Sequence, residues 1–232
     1  MKKQLANILT ITNLTLGLFA IVWSTQGEEN LTLCSYLILI AILFDIMDGK
    51  MARFLNTTSD FGKQLDSFAD MVSFGIAPSI IVFQLINTYN PHSAHLAYIA
   101  FMIPIFSALR LANYNIDSKQ KKYFIGITTP LNAFFFVSIP LILHYEKNDL
   151  ILSLVTNINF LFMGTIILSV LLISPLKTFS SKATYSSNFE KKIKIVFITT
   201  SIFLFFLLKY TAFPLIVFFY IFLSIIFSLN KK

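Results

Sequence analysis

Cysteine is nearly missing from this sequence: Cys34 stands alone, so no disulfide can close within the chain and a helix-packing role is its expectation. Charge is scarce as well. Asp, Glu, Lys and Arg make up 12% of the residues, about half the share of a soluble globular domain. Internal repeats, low-complexity tracts and linkers are absent, which leaves one domain as the default. What is abundant is apolar surface: 56% of 232 residues, with 26 Phe. One soluble core cannot bury that much, so the excess has to face lipid.

Apolar stretches run over 6–24, 31–55, 64–88, 94–116, 128–145, 151–175, 193–208 and 211–229, most near the roughly 20 residues a spanning helix needs. The expected architecture is an all-α integral membrane protein, a polytopic helical bundle of about eight transmembrane helices and at least six, because a stretch as short as 193–208 also suits half of a hairpin. The body is expected over 1–176, and 177–232 holds a cytoplasmic loop rich in Ser and Lys followed by a C-terminal hairpin. That hairpin reads as lipid-facing packing or a subunit contact, and the Phe clusters at 134–136 and 218–219 read as lipid-facing bulk. The N-terminal Lys pair resembles a signal peptide, but no small-residue cleavage site follows Trp23, and Asn7 and Asn13 interrupt the run, so a retained first helix is expected.

A net charge of +7 raises nucleic acid as a partner, but the bases sit in alternate loops, which argues for topology instead. Lys2 and Lys3, then Lys50, Arg53 and Lys63, then Lys119, Lys121 and Lys122, the run Lys177 to Lys194, and Lys231 and Lys232 fall on one side. Glu28 and Glu29, the uncharged 89–93 turn, and Glu146, Lys147 and Asp149 fall on the other, with Lys209 the only other misplaced base. The expectation is a multi-pass protein of the cell membrane with both termini and the Asp-rich loop cytoplasmic, in contact with membrane lipid and with no nucleic acid. His92 and His95 read as a solvated external turn, and His144 and Trp23 as interfacial anchors.

Between residues 45 and 70 the chain does something costly. Asp45 and Asp48 end one apolar stretch, and Asp66 and Asp70 begin the next. A carboxylate at the centre of a spanning helix costs about 2.5–3.5 kcal/mol, so four in hydrocarbon would cost on the order of 10 kcal/mol without compensation. On a helix, Asp45 and Asp48 lie about 60° apart and Asp66 and Asp70 about 40° apart, so each helix offers one paired face. Facing one another, they form an oxygen nest suited to hard divalent ions. Gly49, Ala52 and Gly62 would let backbones and a bulky diphosphate approach, and Arg53 can donate to phosphate or pair with an Asp. The alternatives are a satisfied polar patch and the ion pathway of a cation transporter.

The run Asp45-x-x-Asp48-Gly49-x-x-Ala52-Arg53, eight residues, then Gly62-x-x-x-Asp66-x-x-x-Asp70 resembles the signature of the CDP-alcohol phosphatidyltransferase family at every fixed position. The resemblance implies a membrane helical bundle, usually a homodimer, with a site opening to the cytoplasmic interface. It implies that Asp45, Asp48 and Asp66 bind Mg2+ or Mn2+ and that Asp70 assists them and acts as general base. The segments 71–78, 108–115 and 124–130, with Asn7 to Thr10 and Asn13 to Gly17, look like the branch that transfers to serine. The chain departs from that branch at Ala6, Asn113 and Thr128, where Pro, a second base and Pro are usual. The implied substrates are CDP-diacylglycerol and L-serine, with glycerol 3-phosphate and inositol as the other acceptors. Asn7, Thr10, Gly49, Ala52, Arg53 and Gly62 are then expected at the CDP-lipid, and Ser73 and Arg110 at the acceptor. Arg110, the only base inside the fourth apolar stretch, is expected to meet a serine carboxylate or the lipid phosphate, with pairing to one of the Asp residues as the alternative.

The alternation of basic loops predicts that a cysteine placed at Ser59 or Ser181, in a chain whose Cys34 has been replaced, is labelled only from the cytoplasmic side. One at Gln26 is labelled only from outside. Labelling of Gln26 from the cytoplasm overturns the topology.

Overall fold

The computed structural model describes residues 2–55, 59–116, 124–179 and 188–229. Lys119, Lys121, Lys122, Ser181, Lys231 and Lys232, which carry part of the expected topology, lie outside the described residues. Two long helices come first, α1 (Lys2–Ser24) and α2 (Leu31–Phe54). The third apolar stretch is α3 (Asp60–Asp70), a π-helical turn (Met71–Ile76) and α4 (Ala77–Tyr89). A 3-10 segment (Pro91–Phe101) leads into α5 (Met102–Ile116), and α6 (Thr129–Tyr145) follows. Then come α7 (Asp149–Thr156), α8 (Ile158–Ile173), α9 (Asn188–Leu208) and α10 (Ala212–Leu229).

Five helical runs among the described residues are long and apolar enough to cross a membrane, and α7 with α8, bent by 58°, makes up to six. The bend has a local cause. Asn157 caps α8, its side chain accepting the Asn159 N–H at 2.8 Å, so the expected 151–175 stretch breaks there. Two features explain why eight segments were expected. Helix α6 has 17 residues, and the 42-residue run Asn188–Leu229 folds back on itself. Its turn is at Lys209, with φ of 49°, and Phe197 meets Phe219 at 6.3 Å while Phe205 meets Phe213 at 5.8 Å. The base that fitted the charge pattern least is therefore the hairpin turn.

Helix α6 lies at the centre of the bundle. Phe135 and Phe136 are buried, so the expectation that 134–136 face lipid is corrected for those two; Phe134 is half-buried and Phe218 is exposed. Phe135 packs against both Phe160 of α8 and Phe218 of α10, neighbours that no helical periodicity in α6 reveals.

Two short elements were not expected. Phe124–Ile125 (β1) pairs antiparallel with Lys177–Thr178 (β2), joining the approach to α6 to the exit from α8. Between them Gly126 has φ of 74°, and a Cβ there would lie 2.3 Å from the Leu172 carbonyl oxygen, so glycine is required for both conformation and space.

Close backbone contact also sets the crossing of α1 with the π turn. A Cβ on Gly17 would sit 2.7 Å from the Ser73 Cα, and the Ser73 hydroxyl donates to the Asn13 carbonyl at 2.9 Å. Gly164 differs: a Cβ there would meet Phe135 at an ordinary 3.5 Å. Gly17→Ala is therefore expected to lower the stability of the detergent-solubilised protein by about 1–3 kcal/mol, the cost of overpacking. Gly164→Ala is expected to leave its thermal midpoint unchanged. Equal midpoints for the two variants would show that the α1 crossing is not tight.

Candidate active site

The Asp-bearing ends of α2 and α3 face one another. One carboxylate oxygen from each of Asp45, Asp48 and Asp66 lies within 4.8 Å of the others. At that separation, two like charges repel by about 3–4 kcal/mol per pair even at an effective dielectric of about 20. Local structure holds them there. The Ser59 hydroxyl caps α3 by accepting the Gly62 N–H at 3.1 Å, which sets where the helix begins and hence the phase of Asp66 and Asp70. Thr10 of α1 donates to Asp48 Oδ2 at 2.7 Å.

Asp70, one turn beyond Asp66, is 8% exposed, and its Oδ1 is buried with no hydrogen-bond partner. Asp45, Asp66, Arg110 and Asp48 all lie within its electrostatic range. An unpartnered buried carboxylate oxygen is unfavourable unless a cation or donor reaches it. The three clustered oxygens suit one hard ion at about 2.0–2.6 Å from each, and carboxylates are the donors Mg2+ and Mn2+ prefer. The residues therefore fit a divalent metal.

The cluster opens into a cavity of about 660 Å³. Asp45, Asp66 and Asp70 line it together with Gly49, Arg53 and Arg110. A Cβ on Gly49 would approach only the Arg53 guanidinium, at 3.8 Å from Nη1 and 4.0 Å from Nη2, so any side chain there would occupy cavity space. Arg53 is exposed whereas Arg110 is 8% exposed, so the cavity has a solvated cation and a buried one. Arg110 Nη1 donates to Thr129 Oγ1 at 3.4 Å, and its Nε is buried without a partner. Asp70, Tyr114, Tyr220 and Asp45 lie within its electrostatic range.

The other expected residues divide. Asn7 Oδ1 lies 3.5 Å from where a Gly62 Cβ would sit, so Asn7, Thr10 and Gly62 frame the crossing of α1 with the Asp helices without lining the cavity. Ala52 is half-buried and also outside the lining. Ser73 is fully buried with its hydroxyl committed to α1, away from the lining.

Lys63, Tyr114, Asn115 and Thr129 were not among the expected site residues. Lys63 donates to the Asn115 carbonyl at 2.9 Å and lies 5.8 Å above the Tyr114 ring, while the Asn115 amide donates to Ser67 Oγ at 2.9 Å. These contacts pin the end of α5, and with it Arg110, to the Asp-bearing helix α3. Only the segments 108–115 and 124–130, already noted for their resemblance, contained a signal for Asn115 and Thr129.

A family model described as CDP-alcohol phosphatidyltransferase matches residues 3–158. The chain is 36% identical over 129 residues to the CDP-diacylglycerol–serine O-phosphatidyltransferase of Helicobacter pylori (strain J99), covering 55% of this chain and 53% of that protein. It thus spans about half the length of that relative. To the enzyme of the same description from Bacillus subtilis it is 33% identical over 183 residues, 79% of this chain and 94% of the relative. To that from Methanocaldococcus jannaschii it is 35% identical over 153 residues, 65% and 68% of the two chains. The matched region contains the paired Asp helices, the cavity wall and Arg110, and the chain belongs to the CDP-alcohol phosphatidyltransferase family.

Proposed function

We propose that this protein transfers the phosphatidyl group of CDP-diacylglycerol to L-serine, releasing CMP and forming phosphatidylserine at the cytoplasmic face of the membrane. The observation that carries the proposal is the buried Arg110 facing the same cavity as Asp70 and the Asp45–Asp48–Asp66 cluster. A buried guanidinium beside a hydroxyl-accepting carboxylate suits an acceptor that brings its own carboxylate and a nucleophilic hydroxyl. The names of the relatives support serine as that acceptor.

Divalent metal, held by Asp45, Asp48 and Asp66 with Asp70 beside them, would supply charge neutralisation for the diphosphate. The chain's own residues do the rest. Arg53 donates to phosphate from the exposed side, and Gly49 leaves room for it. Arg110 binds the serine carboxylate and so brings the hydroxyl toward Asp70. Asp70 takes the hydroxyl proton as the serine oxygen bonds to the lipid-side phosphorus. The bond from that phosphorus to CMP breaks, and its electron pair leaves on the CMP phosphate. Burial of Asp70 and Arg110 excludes competing water from the proton transfer.

The test is CMP release from CDP-diacylglycerol by the purified protein, with serine, glycerol 3-phosphate and inositol offered in parallel. Release is expected with serine and magnesium or manganese, and none in excess chelator. Asp70→Asn is expected to retain metal-dependent lipid binding while the rate falls by about 10²–10⁴, the usual contribution of a positioned base. A preference for another acceptor removes serine from the account, and absence of CMP release with any acceptor favours ion transport instead.

A further inference from the structure

The C-terminal hairpin, expected to be lipid-facing packing or a subunit contact, is tied to the wall of the cavity through the 177–179 segment. The Tyr220 hydroxyl of α10 donates to the Phe179 carbonyl at 3.1 Å, and its ring packs on Phe179 at 4.6 Å and on Phe197 of α9 at 5.5 Å. Phe179 follows β2. Thr178 of β2 is fully buried and donates through Oγ1 to the Gly126 carbonyl at 3.3 Å, while β2 pairs with β1. The Gly126 and Ile127 N–H groups donate to the Leu176 and Leu171 carbonyls at 2.8 and 3.1 Å. The chain then runs into Thr128 and Pro130, which line the cavity, with Thr129, the hydrogen-bond partner of Arg110, between them. A continuous bracket thus leads from Tyr220 through Phe179, Thr178 and Gly126 to the side chain that seats Arg110. Tyr220 and Arg110 also lie within electrostatic range of one another.

We infer that Tyr220 is a positioning residue for the acceptor side of the active site: through the 177–179 segment it holds the 124–130 wall and Arg110 in place, which makes the C-terminal hairpin part of the catalytic unit. The inference rests on the proposed function for the acceptor and for Arg110 as the residue that meets it. The bracket touches the wall that carries Thr129 and does not run through α2 or α3, so it separates acceptor binding from metal and lipid binding.

Tyr220→Phe keeps the ring packing and removes the hydroxyl. Its expected effect is a rise of about three- to tenfold in the KM for serine, the net worth of one hydrogen bond, with the KM for CDP-diacylglycerol and the thermal midpoint unchanged. Thr178→Val, which cuts the bracket one link further on, is expected to shift the serine KM in the same direction and decides the matter if Tyr220→Phe does not accumulate folded. Unchanged acceptor KM in the folded variants overturns the inference, as does a parallel rise in both KM values with a falling midpoint, which marks a general structural role. If the wild type transfers to an acceptor other than serine, the serine reading falls, and the same two variants measured with that acceptor decide the role of Tyr220.

Discussion

Holding Asp45, Asp48, Asp66 and Asp70 on facing helix ends against their mutual repulsion is the constraint around which the rest of the structure is arranged. Carboxylates this close are unfavourable in an isolated helix pair, so other elements must impose the geometry. Helix α1 does so from one side: Gly17 and Ser73 bring its backbone against the π turn, and Thr10 donates to Asp48. Helix α5 does so from the other, its end tied to α3 through Lys63, Ser67 and Asn115. A divalent cation bound among the carboxylates would relieve their repulsion.

The same arrangement divides the cavity by function. The acidic cluster and the exposed Arg53 belong to α2 and α3, where a charged diphosphate can be met close to solvent. The proposed acceptor side is Arg110 of α5 and the 124–130 wall, with the C-terminal hairpin tied to that wall through Tyr220 and the 177–179 segment. In the proposed reaction the two substrates, different in character, would meet different parts of the bundle. The matched family region ends at residue 158, before the hairpin begins. In this account the elements beyond it act on the acceptor through packing and a hydrogen bond, without placing a charged group in the cavity.

Much of this was legible in the chain because its signals are local. The spacing of Asp45, Asp48, Asp66 and Asp70 and the small residues among them specify paired faces on two helices, and the apolar stretches mark an all-helical membrane protein, though eight stretches stand where five or six runs among the described residues qualify as spans. The rest depends on long-range contact. Nothing near Ser73 says that its hydroxyl meets the Asn13 carbonyl, and helical periodicity in α6 does not tell lipid from Phe160 and Phe218 as the neighbour of Phe135. Gly126 and Tyr220 carried no local sign of their partners, because β1 and β2 are two residues each and pair across more than fifty residues of chain. Lys209, the base that broke the charge pattern, stands in the hairpin turn with positive φ, which nothing in its local sequence marks.

The proposed metal site implies that the carboxylate cluster costs stability which a bound divalent cation would offset. Thermal unfolding of the detergent-solubilised protein in manganese and in chelator, for the wild type and for Asp66→Asn, reads that exchange. Manganese is expected to stabilise the wild type, by about 2.7 kcal/mol at a hundredfold excess over its Kd. Asp66→Asn is expected to lose most of this response yet to unfold above the wild type in chelator, because one repelling charge is gone. A wild type indifferent to manganese, or an Asp66→Asn variant less stable than the wild type in chelator, would overturn this reading.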